Sequence, residues 1–195
     1  MMRRSLDLLV SGVALLVFSP ILVIIPLLIK WEDGGPILFR QVRLGKGKGP
    51  LTIWKFRSME GGKVTRTGRW IRATALDEYL QLFLVFRGDM TLVGPRPLTK
   101  TDVDRLGWTT EAHAPRWAVR PGVTGFPQVF GSRSSDEAWS WDRHYVEQRT
   151  IGLDLQIILL SGLVNILGKR RVRRWFVDHY TMDSVSRRLA GGGTT

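Results

Sequence analysis

The sequence predicts an α+β fold: a mostly helical, membrane-associated domain that carries one small β-hairpin. Three observations predict it. Leu8 to Ile29 is apolar and uncharged. Two strand-like runs, Ile37–Leu44 and Leu51–Phe56, flank the turn-forming stretch Gly45-Lys46-Gly47-Lys48-Gly49-Pro50. Beyond them, apolar residues recur at helical spacing. The 195 residues suit one domain of ordinary size. They divide into a membrane helix over 1–33, a main domain over 34–188 and a disordered tail over 189–195.

The N-terminal segment comes first. At about 1.5 Å rise per residue it just reaches across a hydrocarbon core of roughly 30 Å. Pro20 removes a helix hydrogen bond and clashes with the preceding turn, so a kink is expected at Ser19-Pro20. Ser19 is placed to satisfy a freed carbonyl. Arg3 and Arg4 precede the segment, and Lys30, Arg40, Arg43, Lys46 and Lys48 follow it. The positive-inside rule keeps both ends in the cytoplasm, which a re-entrant helix allows. A single span with a short outside tail also fits, and either fixes the chain to a membrane. At the other end, Leu155–Leu167 is too short to span and precedes basic and aromatic residues from Lys169 to Phe176. It reads as an interfacial amphipathic helix facing anionic lipid, with a core helix followed by a solvated basic tail as the alternative.

Thr67–Phe86 reads as one helix, from Ile71, Leu76, Tyr79, Leu80, Phe83 and Phe86. Asp77 and Glu78 lie on it, about 100° apart and so pointing in different directions. Two adjacent carboxylates are unusual in a chain of net charge +12, a charge that itself favours an anionic partner. Arg66, Arg69 and Arg72 precede the pair and Arg87 follows it. Cations can hold phosphate oxygens while a carboxylate attacks or holds a metal ion. The competing reading is a solvated acidic spot on a helix. Val93-Gly94-Pro95-Arg96-Pro97 must be extended, with Arg96 between two prolines, and Arg120-Pro121-Gly122 forms a second rigid turn. Asp136–Arg149 reads as a helix with Trp139, Tyr145 and Val146 inward. The chain has no cysteine, which excludes disulfides and thiolate metal sites. The histidines lack metal-ligand spacing. Eight tryptophans suit a membrane interface.

These stretches together resemble the monotopic phosphoglycosyl transferases, the bacterial sugar transferase or polyprenyl-phosphate sugar-phosphotransferase family. The likeness runs from Ser5 to Leu167. It is carried by FRQVRLG (Phe39–Gly45), KFRSM (Lys55–Met59), ALDEYLQL (Ala75–Leu82), GDMTLVGPRP (Gly88–Pro97), RPGVTGFPQV (Arg120–Val129), and Asp142 with Tyr145. The resemblance implies a re-entrant helix broken at Ser19-Pro20. It implies transfer of a phosphosugar from a UDP-sugar to undecaprenyl phosphate with release of UMP, on the cytoplasmic face of the bacterial inner membrane. Asp77 would be the nucleophile and Glu78 the partner of Mg²⁺. Lys55, Arg57, Arg72, Arg96 and Arg120 would contact phosphate or nucleotide.

The chain departs from the family pattern in three places. Ala75 replaces a serine, Tyr79-Leu80 a Leu-Pro, and Leu84 an asparagine. Loss of the proline is expected to leave the helix more continuous, and loss of serine and asparagine removes polar partners for the pair. The expected partners are the two substrates and anionic lipid of the inner leaflet, with no nucleic acid; monomer and homodimer remain open. The alternative function is a membrane-anchored, non-catalytic module that binds polyanions.

Overall fold

The computed structural model describes residues 2–132 and 134–167. The apolar N-terminus forms two helices, α1 (Met2–Val17) and α2 (Ile21–Asp33), bent by 54° across the break between them. The break falls where Pro20 removes an amide donor. The backbone of Ser19 bridges it: its N–H donates to Leu16 O at 3.2 Å, and its carbonyl accepts from Leu22 N–H at 3.0 Å. Among the described residues, no single helix is long and apolar enough to cross a membrane; the bent pair together is, by length and composition.

Both ends of this pair are tied to one globular body. Arg4 donates to Val85 O and Phe86 O, each at 2.6 Å. Buried Asp7 accepts from Leu92 N–H and from the Thr91 hydroxyl, each at 2.9 Å. At the far end Asp33 pairs with Arg57, and Glu32 accepts from the N–H groups of Arg66 and Thr67 at 2.6 and 2.8 Å. Ile25 and Ile29 of α2 are buried with Phe56 and Ile71 in a small core of their own.

The predicted hairpin is present as β1 (Leu38–Leu44) and β2 (Pro50–Phe56), with Leu38 opposite Phe56 and Leu44 opposite Pro50. Two further small sheets were not expected. One is the antiparallel pair β3 (Met59–Glu60) and β4 (Lys63–Val64); the other is the parallel pair β5 (Thr91–Val93) and β6 (Gly122–Thr124).

The expected helix over Thr67–Phe86 is not continuous, despite the missing proline. α3 (Arg66–Ala73) stops, a 3₁₀ turn covers Leu76–Glu78, and α4 (Gln81–Arg87) begins after Leu80. The Thr74 hydroxyl donates to Trp70 O at 2.9 Å and Ile71 O at 3.1 Å, which closes α3. Ala75 then takes a left-handed conformation, φ 56° and ψ 19°. This turn lets Leu76 and Leu80 pack against the α2 core. A left-handed Cβ costs roughly 1–2 kcal/mol, so Ala75→Gly should raise stability by about 0.5–1 kcal/mol, the relieved strain less glycine's extra chain entropy. Urea unfolding in detergent measures it.

The rest is helical: α5 (Lys100–Leu106), α6 (Ala114–Trp117), α7 (Phe126–Phe130), α8 (Ser135–Gln148) and α9 (Ile151–Leu167). α8 fills the predicted span, but Trp141, Asp142 and Tyr145 are its buried residues, and Trp139 and Val146 are half-buried. The main core joins Ile53, Leu84, Met90, Val93, Phe126, Val129 and Ile157, so α9 covers β5, β6 and α7. The tryptophans divide: Trp31, Trp54 and Trp70 are exposed, whereas Trp108, Trp117 and Trp141 are core residues. The basic run at 168–176, His179 and the tail at 189–195 lie outside the described residues.

Candidate active site

The broken helix determines the site. The 3₁₀ turn places Asp77 and Glu78 over β2, where both reach Lys55. Lys55 Nζ lies 2.7 Å from Glu78 Oε1 and 3.7 Å from Asp77 Oδ2. The two carboxylates therefore converge on one cation. Arg96, in the Gly94–Pro97 segment after β5, adds a second cation 3.7 Å from Glu78 Oε1. Lys55, Asp77 and Glu78 are partly buried, with side-chain exposures of 18%, 19% and 26%.

Burial raises the Asp77 pKa above the ordinary carboxylate value; Lys55 pulls it back, neighbouring Glu78 pushes it up, and Arg72 lowers it from further away. Lys55→Met removes the largest opposing charge. The acid limb of the rate–pH profile should then move to higher pH, and the rate at neutral pH should fall on the order of 10²-fold. A profile whose acid limb stays in place would show that Asp77 ionisation does not govern the rate.

The structure separates the sequence-predicted cations. Lys55 and Arg96 meet the pair. Arg72 is solvent-exposed and acts on Asp77 through its field. Arg57 is turned away: it pairs with Asp33 and donates to Pro36 O at 2.6 Å, fastening β2 to the end of α2. Arg120 borders a different cavity, together with Arg3, Arg4, Lys46 and Arg149. Asp142 and Tyr145 are structural. Asp142 pairs with Arg116, and the Tyr145 hydroxyl donates to the Val93 carbonyl or Asp154, each at 2.8 Å.

Two residues that sequence reasoning passed over stand at the pair. Arg43 of β1 and Gln128 of α7 line the same narrow cleft as Lys55, Glu78 and Arg96. Arg43 is fixed by Gln41 Oε1 at 2.7 Å and by Pro97 O at 2.6 Å, and so it also anchors the Arg96 segment. Both residues sit inside the FRQVRLG and RPGVTGFPQV motifs, which was the available signal.

From Glu78 and Arg96 an apolar cavity of about 420 Å³ runs past Tyr79, Leu82 and Ile158 to Ala14 and Phe18 at the break in the N-terminal helices. An apolar cavity that ends on Glu78 and Arg96, next to Asp77 and Lys55, suits transfer of a phosphate-bearing group between a polar and an apolar molecule.

The chain belongs to the bacterial sugar transferase family, whose family model matches residues 1–168. It is 38% identical over 178 residues to a UDP-glucose:undecaprenyl-phosphate glucose-1-phosphate transferase of Caulobacter vibrioides, covering 80% of this chain and 67% of that protein. A Klebsiella pneumoniae protein of the same name is 34% identical over 188 residues, 86% of this chain and 40% of its own length. An Aeromonas hydrophila UDP-N-acetylgalactosamine-undecaprenyl-phosphate N-acetylgalactosaminephosphotransferase is 35% identical over 175 residues, 80% and 41%. The chain thus spans less than half the length of these last two relatives.

Proposed function

We propose that this chain moves a phosphosugar from a UDP-sugar to undecaprenyl phosphate and releases UMP. The observation that carries the reading is the Asp77–Glu78 turn on Lys55, with Glu78 and Arg96 together bordering the apolar cavity. Asp77 Oδ attacks the β-phosphorus of the UDP-sugar. The bond from that phosphorus to the bridging oxygen breaks, and the oxygen leaves on UMP. An oxygen of undecaprenyl phosphate then attacks the same phosphorus, frees the Asp77 carboxylate and yields the lipid diphosphosugar. Both attackers are anions meeting an anionic phosphate, so Lys55, Arg96 and Arg43 must offset charge.

The convergence of two carboxylates on one cation position also fits Mg²⁺, which takes one or two carboxylates with substrate phosphate oxygens. No group of three or more His, Cys, Asp or Glu is present among the described residues, so substrate oxygens and water would complete the shell. Glu78 would hold the ion. Bound there, it would neutralise phosphate oxygens during transfer.

The same reading places the domain on the cytoplasmic face of the bacterial inner membrane, with α1 and α2 re-entrant. Supporting this, Arg4 and Asp7 at one end of the pair and Glu32 and Asp33 at the other all bind one globular body, so the two ends share a side. Leu9, Leu16, Val23 and Leu27 are exposed around the bend, as a lipid-facing surface requires. The decisive experiment supplies purified protein with Mg²⁺, undecaprenyl phosphate and a panel of UDP-sugars. UMP is the expected nucleotide product. UDP instead would mean transfer of sugar alone, and no nucleotide release would leave the binding-module reading.

A further inference from the structure

Gln128 carries an unexplained amide. Its Oε1 and Nε2 each have under 1 Å² of exposed surface, and neither has a hydrogen-bond partner among the described residues. Buried carboxamides are nearly always paired, because the lost water is otherwise not replaced; an orphan calls for a partner that arrives later. Gln128 is also well fixed. It follows Gly125, whose carbonyl accepts the Gln128 N–H at 3.0 Å. A Cβ at position 125 would stand 3.1 Å from Gln128 Oε1 and would collide with the Gly94 carbonyl. The glycine is therefore required chiefly by the Gly94 backbone, which packs against the start of α7.

The place of this amide gives its role. The cleft at Lys55 and Glu78 has a volume of only about 10 Å³, room for one water, so the body of a nucleotide sugar must lie outside it. Beside it lies an open cavity of mixed lining, about 800 Å³, bordered by Arg105, Trp108, Arg116, Ser132, Ser135 and Asp142 among others. That volume is in the range of small-molecule sites. Arg96 and Gln128 are the two side chains that border this cavity, the dyad cleft and the apolar cavity alike. A donor seated in that open cavity with its diphosphate on Arg96 lies against Gln128.

We propose that Gln128 recognises the donor substrate. Its carboxamide offers a donor and an acceptor side by side. It pairs with a group of the nucleotide sugar that presents the complement, either the imide edge of uracil or polar substituents of the sugar ring. This rests on the phosphoglycosyl transfer reading. The role is recognition, so Gln128 takes no part in bond making.

The test uses Gln128→Leu and the unbranched Gln128→Met, in detergent and without lipid acceptor. UDP-glucose, UDP-N-acetylgalactosamine and UMP serve as separate probes in calorimetry, with Asp77→Asn in each variant and in the control so that no phosphosugar is transferred to the protein. Either substitution replaces an unpaired amide with an apolar group, so the ligand-free melting temperature should hold or rise. Donor affinity should nevertheless fall about tenfold. A structural glutamine would give the opposite sign, a lower melting temperature in both variants. Loss of both UMP and UDP-sugar binding assigns the amide to uracil, whereas loss of UDP-sugar binding alone assigns it to the sugar. Unchanged donor binding in both variants, or a melting temperature lowered in both, would overturn the proposal. Absence of UMP release from the wild-type protein would instead count against the underlying reaction, which separates the two failures.

Discussion

Asp77→Asn is expected to cut UMP release by about 10³-fold or more while leaving the fold intact, since loss of a covalent nucleophile ranks among the most damaging changes to an enzyme. Asparagine has nearly the same shape, and Glu78 keeps Lys55 paired at 2.7 Å, so no cation is orphaned. The electrostatics favour the variant's stability. Burial raises the Asp77 pKa in the folded protein. An acid so raised contributes stability that is fully present below its unfolded pKa and is lost as pH rises through the folded one. At neutral pH the ionised Asp77 is therefore a net cost, and Asn removes it. Melting temperature near pH 7 should stay level or climb. With UDP-sugar but no lipid, wild type should release UMP in a burst of one per protein and gain the mass of a phosphosugar; the variant should do neither. A full burst from Asp77→Asn would remove Asp77 as the nucleophile.

The sequence disclosed elements with a local cause. Pro20 dictates the break between α1 and α2, and alternation around a Gly-rich turn dictates β1 and β2. It concealed the break that builds the site. Ile71, Leu76, Tyr79 and Leu80 keep helical spacing through Thr74-Ala75, and an alanine at φ 56° has no signature in composition. Only the tertiary demand of the α2 core for Leu76 and Leu80 explains it. Motif membership marked Lys55, Arg96 and the acidic pair, which the structure brings together. It could not give direction: Arg57 and Arg120 share motifs with site residues yet point to Asp33 and to a second cavity. Arg43 and Gln128 were passed over because an arginine on a strand and a glutamine on a short helix have ordinary structural uses.

Arg116 supports the site from behind, and its removal should be the most destabilising single change considered. It forms a buried pair with Asp142, Nε to Oδ2 at 2.7 Å, with side-chain exposures of 2% and 3%. Its guanidinium lies over the rings of Trp117 and Trp108, 4.8 and 5.1 Å from their centroids, and it also donates to the Arg96 carbonyl. Burial drives the Asp142 pKa up and Arg116 opposes the rise. Arg116→Ala leaves a desolvated carboxylate with no cation, a loss of about 3–5 kcal/mol, or roughly 10 °C in melting temperature. The pH dependence identifies the cause. With Asp142 shifted further up, its contribution is lost as pH rises through its folded pKa, so the variant should gain stability on mild acidification, the reverse of ordinary acid denaturation. Removing both charges, Arg116→Met with Asp142→Leu, should restore most of the stability, because an apolar pair avoids the desolvation cost. It should not restore the rate. The Arg96 carbonyl still lacks its donor, and Arg96 is then held chiefly through Arg43 and Pro97. Recovery of wild-type UMP release in the double variant would mean that Arg116 serves folding alone; recovered stability with a depressed rate would show that the buried pair also positions the arginine that faces the acidic turn.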